Sequence, residues 1–273
     1  MLNGKNIAFL GGGNMVEALI RGLVLGGLVA RSRVTVSARR EARRVELAAR
    51  LGVAVTGDNR ALAAGADVLV LGVKPQDLPG VLDSIRGVPP AGCAVVSIAA
   101  GVPTDAIAER LGGAYAVVRV MPNTPALVRA GASAYCLGRH ATAAHGELAA
   151  AMFSSVGSVA RVEEAQMDAV TALSGTGPAY VYYFLEALGA AGAAAGLPPE
   201  VAARLAAQTV FGAARMAVET GLPPAELRAQ VTSPNGTTVA AMKVLEERGF
   251  GEMIRDAVGA ARRRSEEDRK SVV

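Results

Sequence analysis

The chain has 273 residues, of which 51% are hydrophobic and 19% are charged. This composition excludes an intrinsically disordered chain, because such chains combine low hydrophobicity with high net charge. The net charge of +4 comes from 28 basic and 24 acidic residues, which is not the basic footprint of a nucleic-acid-binding protein. Glycine is abundant, at 32 residues without a collagen-like period, so we expect it at turns, helix caps and ligand-binding loops.

The cysteines and the uncharged segments further restrict the class of protein. Cys93 and Cys136 provide neither a disulfide framework nor a metal-ligand cluster, and both lie in apolar runs typical of buried thiols. The apolar run 7–10 is too short for a signal peptide. The longest uncharged stretch, 87–104, contains three prolines and does not suit a membrane helix. We therefore expect a soluble, cytoplasmic protein with no membrane segment and no bound metal.

The first part of the chain alternates strand-like and helix-like segments. The predicted strands are 7–10, 33–37, 53–56, 68–73, 94–98, 116–121, 133–137 and 159–162. The predicted helices are 15–28, 40–51, 78–85, 104–111 and 141–155. Several strands are apolar throughout, as in a sheet covered by helices on both faces. This pattern predicts an α/β fold with a Rossmann-like, doubly wound sheet over residues 1–162.

The second part, 163–273, contains only helical patterns. The predicted helices are 168–173, 179–195, 199–220, 224–231, 238–248 and 250–270, separated by Gly and Pro signals. The small residues of 187–195 allow close approach between helices. We therefore predict an all-α C-terminal domain that forms a bundle or a dimer interface.

A glycine-rich turn follows the first strand and precedes the first helix. Dinucleotide-binding folds need glycine at the tight turn and again where the backbone meets the pyrophosphate, roles that suit Gly11 and Gly13. Val16 departs from the pattern, since Gly or Ala usually occupies the third position. An ordinary strand-to-helix turn would contain similar glycines, but the strand, the helix and their location together favour nucleotide binding.

The end of the second strand indicates which dinucleotide is bound. An NAD site places a carboxylate there to accept the ribose 2′-hydroxyl, whereas this chain has Ser37, Arg39 and Arg40. Guanidinium groups bind a 2′-phosphate well. The alternative is that both arginines are merely solvated, although cations are poorly placed in the first turn of a helix. We predict NADPH, with NADH as the less favoured cofactor.

Three further loops follow strand ends, at 73–76, 99–101 and 121–125. Ligands of open α/β sheets bind outside the carboxyl ends of the strands, so these loops are expected to surround the nicotinamide. Each loop taken alone is also explained as a turn, because Pro and Gly mark turns.

Few residues in the chain suit proton transfer. His140 and His145 lie where a turn enters a predicted surface helix, and Lys243 is the one lysine of the helical part outside its tail. The remaining polar candidates are mostly hydroxyl groups, which orient a substrate but are weak bases. A protonated C=N bond suits such a site, because it is already electrophilic and needs mainly a positioned hydride.

Two hydroxyl-rich turns precede predicted helices, at 174–178 and 233–238. Free backbone N–H groups at a helix N-terminus bind anions, so the turn at 174–178 is a candidate site for a substrate carboxylate. Ordinary helix capping explains either turn equally well.

Five segments together resemble the Δ1-pyrroline-5-carboxylate reductase family along nearly the whole chain. They are FLGGGNM at 9–15, VKPQ at 73–76, RVMPNTP at 119–125, DAVTALSGTGPAY at 168–180 and VTSPNGTT at 231–238. The resemblance implies NAD(P)H-dependent reduction of a cyclic imino acid to L-proline, the last step of proline biosynthesis. It also implies a domain-exchanged dimer, often assembled into a decamer, in which each active site uses two subunits.

The resemblance also implies roles for individual residues. The implied cofactor contacts, together with Arg40 from the charge argument above, are Gly11, Gly13, Asn14, Met15, Ser37, Arg39, Arg40, Asn59, Val73, Lys74, Pro75, Ala99, Ala100 and Asn123. The implied substrate contacts are Ser174, Gly175, Thr176, Gly177, Pro178, Thr237 and Thr238. Asn235 departs from the family, which commonly has Gly there, although Asn tolerates a positive φ.

The mechanism we predict places the nicotinamide near Asn123 and Ala100 and the substrate carboxylate on the backbone around 174–177. Thr238 hydrogen-bonds the ring nitrogen and is the candidate catalytic residue. Two alternatives stay open at this point. One is a β-hydroxyacid dehydrogenase, which would need a lysine such as Lys243 as acid or base, and the other is a nucleotide-binding protein without activity.

Overall fold

In the computed structural model, which describes residues 2–272, the apolar segments of the first part form an eight-stranded sheet. The strands are β1 Ile7–Leu10, β2 Val34–Ser37, β3 Ala54–Thr56, β4 Val68–Leu71, β5 Ala94–Ser97, β6 Ala116–Met121, β7 Gly131–Leu137 and β8 Gly157–Arg161. Their order is β3-β2-β1-β4-β5-β6-β7-β8, and every neighbouring pair is parallel except β6 with β7. The predicted strands are confirmed to within two residues at each end.

Helices connect the strands and form the second part of the chain. They are α1 Asn14–Leu25, α2 Glu41–Leu51, α3 Asn59–Ala64, α4 Leu78–Ser84, α5 Thr104–Leu111, α6 Ala143–Ser154, α7 Met167–Val170, α8 Gly177–Ala194, α9 Pro199–Thr220, α10 Pro224–Gln230, α11 Thr237–Glu247 and α12 Phe250–Val272. A π-helical segment, Thr171–Gly175, lies between α7 and α8. Helix α3 was not predicted, because its six residues are too few to show a helical period.

Buried apolar side chains cover both faces of the sheet. Successive residues of a strand point to opposite faces, and β1 shows this directly. Phe9 belongs to the core that contains Leu19 and Leu47, whereas Leu10 belongs to the core that contains Leu69. The predicted doubly wound α/β fold, followed by a helical C-terminal part, is therefore confirmed.

The chain separates into two compact units. Unit 1 comprises the residues up to Thr176 and those from Ala261 onward, and unit 2 comprises Gly177–Ala260. These limits differ from the boundary expected between residues 162 and 163, because α7, the π-helical segment and the last turns of α12 group with the sheet. Domains 1–162 and 163–273 stay a prediction.

Unit 2 is made of helices, and α8 packs closely on α9. A Cβ atom on Gly189 would lie 3.5 Å from Ala203 Cα, and one on Gly192 would lie 3.1 Å from Ala202 Cβ. The small residues of α8 thus permit the close approach expected from their composition. Within residues 2–272, no helix combines the length and apolar character needed to cross a membrane.

Candidate active site

The glycine-rich turn connects β1 to α1 in a conformation that requires glycine. Gly11 has φ +98°, and a Cβ atom there would lie 2.8 Å from the carbonyl oxygen of Gly72. A Cβ atom on Gly13 would meet no atom within 4 Å. Gly11 therefore fits the tight turn, and Gly13 leaves its side of the loop open to a ligand.

The departure at Val16 has a partner elsewhere in the fold. Val16 is fully buried in α1, and a Cβ atom on Gly72 would overlap its Cγ2 atom. Gly72 follows β4 directly and has no side chain. The space beside it accommodates Val16, where dinucleotide-binding folds usually have a smaller residue.

A cavity of about 400 Å³ lies beside the glycine turn at the carboxyl ends of β1, β2 and β4. It brings together eight of the predicted cofactor residues: Gly11, Gly13, Ser37, Arg39, Arg40, Asn59, Val73 and Lys74. The lining does not include the other six: Asn14, Met15, Pro75, Ala99, Ala100 and Asn123. It also includes Arg43, which the sequence analysis did not assign.

The loop that presents Arg39 and Arg40 is held by a third arginine. Arg44 donates from Nη1 to the carbonyl oxygens of Ala38, at 3.1 Å, and Arg39, at 2.9 Å. The side chains of Arg39 and Arg40 remain exposed at the edge of the cavity. Arg44 lies in the first turns of α2, directly after this loop, and it was not assigned from the sequence.

A second cavity, of about 510 Å³, lies in unit 1 at the ends of β4 and β5. It is lined by Pro75 and Ala100 from the predicted cofactor set and by Thr176 from the predicted substrate set. The last turns of α12 complete its wall. Residues assigned to the two different ligands therefore line one cavity.

Asn123 connects the loop after β6 to the π-helical segment. Its Nδ2 donates to the carbonyl oxygen of Ser174 at 3.0 Å, and its Oδ1 accepts from Ala132 N at 2.9 Å. The side chain is buried, so both ends of the amide hold protein backbone. The structure thus joins a predicted cofactor residue to a predicted substrate residue.

Thr171–Gly175 is π-helical, so the turn expected at 174–178 is reduced to a bend at Thr176, directly before α8. Thr176 N donates to Thr171 O at 2.8 Å, which is the spacing of a π-helix. The hydroxyls of Ser174 and Thr176 donate to Val170 O and Thr171 O. Gly175, Gly177 and Pro178 suggested a longer break in the chain, but α7 continues into the π-helical segment as far as Gly175, and α8 begins at Gly177.

Asp168, at the start of this helical path, is a buried carboxylate that the sequence analysis did not assign. It accepts hydrogen bonds from Ser265 Oγ at 2.8 Å and Arg269 Nε at 3.1 Å. These two residues are four apart, on one face of α12. Asp168 therefore ties the last turns of α12 to the helix that carries Ser174 and Thr176.

Thr237 and Thr238 begin α11 in unit 2. Gly236 is the N-cap residue and offers no side chain to the first-turn N–H groups. Asn235, before it, has φ +59°, as its tolerance of the left-handed region predicts. Thr237 is exposed and Thr238 is half-buried.

The two histidines and Lys243, which were considered for proton transfer, lie outside the two cavities described above. His145 Nδ1 accepts from Thr142 N at 3.0 Å and so caps α6, and His140 is exposed. Lys243 lies on the surface of α11 with its Nζ 3.8 Å from Glu247 Oε1. None of these three side chains is buried.

Comparison with known proteins gives two family matches. Residues 164–268 match the family described as pyrroline-5-carboxylate reductase dimerisation, and residues 6–101 match NADP oxidoreductase, coenzyme F420-dependent. The pyrroline-5-carboxylate reductase of Pseudomonas aeruginosa is 43% identical over 262 residues, which are 96% of each chain. The enzyme of that name from Glycine max is 41% identical over 96% of this chain and 95% of its own.

Solved structures agree with these relatives. The structure of a pyrroline-5-carboxylate reductase from Coxiella burnetii has a TM-score of 0.93 and 41% identity, covering 97% of this chain and 98% of its own. The pyrroline carboxylate reductase of Plasmodium falciparum, solved with NADP bound, has a TM-score of 0.85 and 29% identity, covering 98% and 99%.

Proposed function

The chain belongs to the pyrroline-5-carboxylate reductase family, and we propose that it reduces Δ1-pyrroline-5-carboxylate to L-proline with NADPH. This reaction is the last step of proline biosynthesis, and it converts the C=N bond of the substrate into a CH–NH group. The observation that carries the proposal is the hydrogen bond from Asn123 to Ser174, which joins the cofactor edge of the sheet to the segment most typical of the family.

The first cavity suits the adenosine and pyrophosphate part of NADPH. Gly13 has open space beside it, and Arg39 and Arg40 provide two exposed guanidinium groups where an NAD site would have a carboxylate. The remaining cofactor contacts are proposed at Asn14, Met15 and the loops after β4, β5 and β6. When bound, NADPH supplies the hydride that reduces the carbon of the C=N bond.

The free N–H groups of this fold favour α11 as the place for the substrate carboxylate. The Thr176 N–H and the Ser174 and Thr176 hydroxyls already donate to backbone carbonyls. The first turn of α11 has an uncapped N-terminus, whose N–H groups attract anions. We therefore propose that the carboxylate binds at Thr237 and its neighbours. Residues 174–178 stay proposed as further substrate contacts.

Thr238 is proposed to hydrogen-bond the ring nitrogen. Its hydroxyl is half-buried in the first turn of α11, where it can orient the ring and pass a proton to the nitrogen. Reduction of a C=N bond needs one hydride at carbon and one proton at nitrogen, so a hydroxyl that relays a solvent proton is sufficient.

The chain forms a homo-oligomer through its dimerisation domain, and we propose a decamer of interlocked dimers. Unit 2 exposes many large apolar side chains, among them Tyr183, Phe211 and Val218. Apolar patches of this kind mark protein interfaces. The unpaired Cys93 and Cys136 support the cytoplasm as the proposed compartment, since disulfides are rare there.

The direct test follows NADPH absorbance during incubation with Δ1-pyrroline-5-carboxylate and identifies proline by mass spectrometry. We expect oxidation of NADPH with formation of one proline per NADPH. Lys243→Met should retain this activity, because the proposed mechanism does not use Lys243, whereas a hydroxyacid dehydrogenase would form no proline. Binding of NADPH without oxidation would identify a nucleotide-binding protein instead.

A further inference from the structure

Arg43 occupies a position between the glycine turn and two carboxylates. It lies in α2, its side chain is mostly buried, and it lines the first cavity. Its Nε donates to the carbonyl oxygen of Gly12 at 3.0 Å. Its two remaining nitrogens pair with Glu17 at 3.2 Å and Glu46 at 2.7 Å.

The carboxylates fix the guanidinium group and compensate its charge. Glu17 is buried in α1 and also pairs with Arg21, at 3.0 Å, and Arg50, at 2.7 Å. Arg43 is therefore held from two sides and is not free to turn towards a ligand. Arg39 and Arg40, in contrast, form no ion pair with any carboxylate among residues 2–272.

The hydrogen bond to Gly12 determines the direction of the next N–H group. A trans peptide unit is planar, so the Gly12 carbonyl and the Gly13 N–H point in opposite directions. Gly12 and Gly13 are both glycines, and such a peptide can rotate easily unless something holds it. Arg43 holds the carbonyl on the side of α2, so the Gly13 N–H points away from α2.

The far side of that peptide is available to a ligand. A Cβ atom on Gly13 would meet no atom within 4 Å, and within residues 2–272 no acceptor receives a hydrogen bond from Gly13 N–H. Gly12 itself is packed on α2, because a Cβ atom there would overlap Leu47 Cδ1. The turn is thus anchored on one side and open on the other.

We infer that Arg43 is a positioning residue that fixes the Gly12–Gly13 peptide so that its N–H group faces the cofactor pyrophosphate. This inference rests on the proposed cofactor site. The pyrophosphate is common to NADPH and NADH, whereas the 2′-phosphate that we assign to Arg39 and Arg40 is not. Arg43 should therefore support both dinucleotides equally and should not determine the choice between them.

The test compares Arg43→Met with wild type by fluorescence titration of NADPH and NADH and by steady-state kinetics. We expect both dissociation constants to rise about tenfold, as for loss of one charge-assisted hydrogen bond, with kcat at saturating NADPH within about twofold. Inhibition by 2′-AMP, which has the 2′-phosphate and no pyrophosphate, should be unchanged. Arg43→Lys keeps a cation beside Glu17 and Glu46, so it should fold like wild type and still bind both dinucleotides more weakly.

Arg50→Met is the matched control, since it removes another partner of Glu17 from the same helix without touching Gly12. It should leave both dissociation constants unchanged. Equal weakening in Arg50→Met would show that the effect comes from packing of α1 on α2, and no weakening in Arg43→Lys would remove the positioning role. Loss of NADPH binding alone would make Arg43 a ligand of the 2′-phosphate. If wild type bound NADPH without reducing the imine, the proposed function would fail while this inference stood.

Discussion

Units 1 and 2 differ in how far their apolar side chains are buried. Unit 1 buries large residues such as Phe9, Leu69 and Phe153 on both faces of its sheet. Of the hydrophobic residues described in unit 2, only Ala202 and Ala206 are buried. The first unit therefore has a core of large side chains, whereas the second exposes apolar side chains that we propose are covered by another subunit of the homo-oligomer. Substitutions in each unit should accordingly change different properties.

The largest effect is expected from a charge on the apolar surface of unit 2. Phe211→Glu places a carboxylate at a large side chain that is 57% exposed, and we expect loss of the oligomer together with nearly all activity. Val45→Glu is the matched control in unit 1, where the side chain is 65% exposed, and it should change neither property. Light scattering and turnover measure both. An oligomeric, active Phe211→Glu would show that this part of unit 2 is free surface.

The next effect concerns chemistry in unit 2. Thr238→Ala should lower kcat by about a hundredfold, the lower end for loss of a proton-transferring group, with little change in NADPH affinity. Thr238→Ser should recover most of the activity, because it restores the hydroxyl. Steady-state kinetics and NADPH titration separate the two quantities. An unchanged kcat in Thr238→Ala would remove this residue from the mechanism.

A substitution at the close contact between Gly72 and Val16 in unit 1 should have a smaller effect, on the free energy of unfolding alone. Gly72→Ala should lower the free energy of unfolding by about 1–3 kcal/mol, because the new Cβ overlaps Val16. The loss should be smaller when Val16→Ala is already present, which a double-mutant cycle in urea measures. Gly80→Ala, in α4 with open space around it, should be neutral or slightly stabilising. Additive effects of the Val16 and Gly72 substitutions would contradict this contact.

The buried thiols of unit 1 give the smallest effect, a dependence of stability on pH. Burial raises the pKa of Cys93 and of Cys136 to about 12. The unfolded thiols ionise near pH 8.5 while the native thiols stay protonated, so their contribution is complete below that pH and declines as pH rises towards 12. Between pH 8.5 and 9.5, wild type should lose roughly 1 kcal/mol more than Cys93→Ala. Parallel losses would show that the native thiol ionises normally.

The sequence was most informative where a pattern was local. The strand 7–10 and the helix 104–111 are reproduced without change, since each is a continuous apolar run or a complete amphipathic period. The glycine turn and the arginines after β2 were also recognised, because their spacing along the chain defines the motif.

The remaining features depend on contacts between distant segments. Gly175, Gly177 and Pro178 predicted a turn over 174–178, but the chain is π-helical as far as Gly175, where Asn123 donates to the Ser174 carbonyl. Arg43 was not assigned from the sequence, because its partner Glu17 lies 26 positions away in α1. Such pairings have no signature in a single sequence.

The contact between Val16 and Gly72 restricts the order in which this protein can change during evolution. With valine in α1, any side chain at position 72 would overlap Val16, so substitutions at position 72 lower the stability of the fold. A smaller residue at position 16 would remove this loss of stability, and a return to valine would be destabilising once position 72 had acquired a side chain. Two residues that are 56 positions apart in the chain would therefore be inherited as a pair.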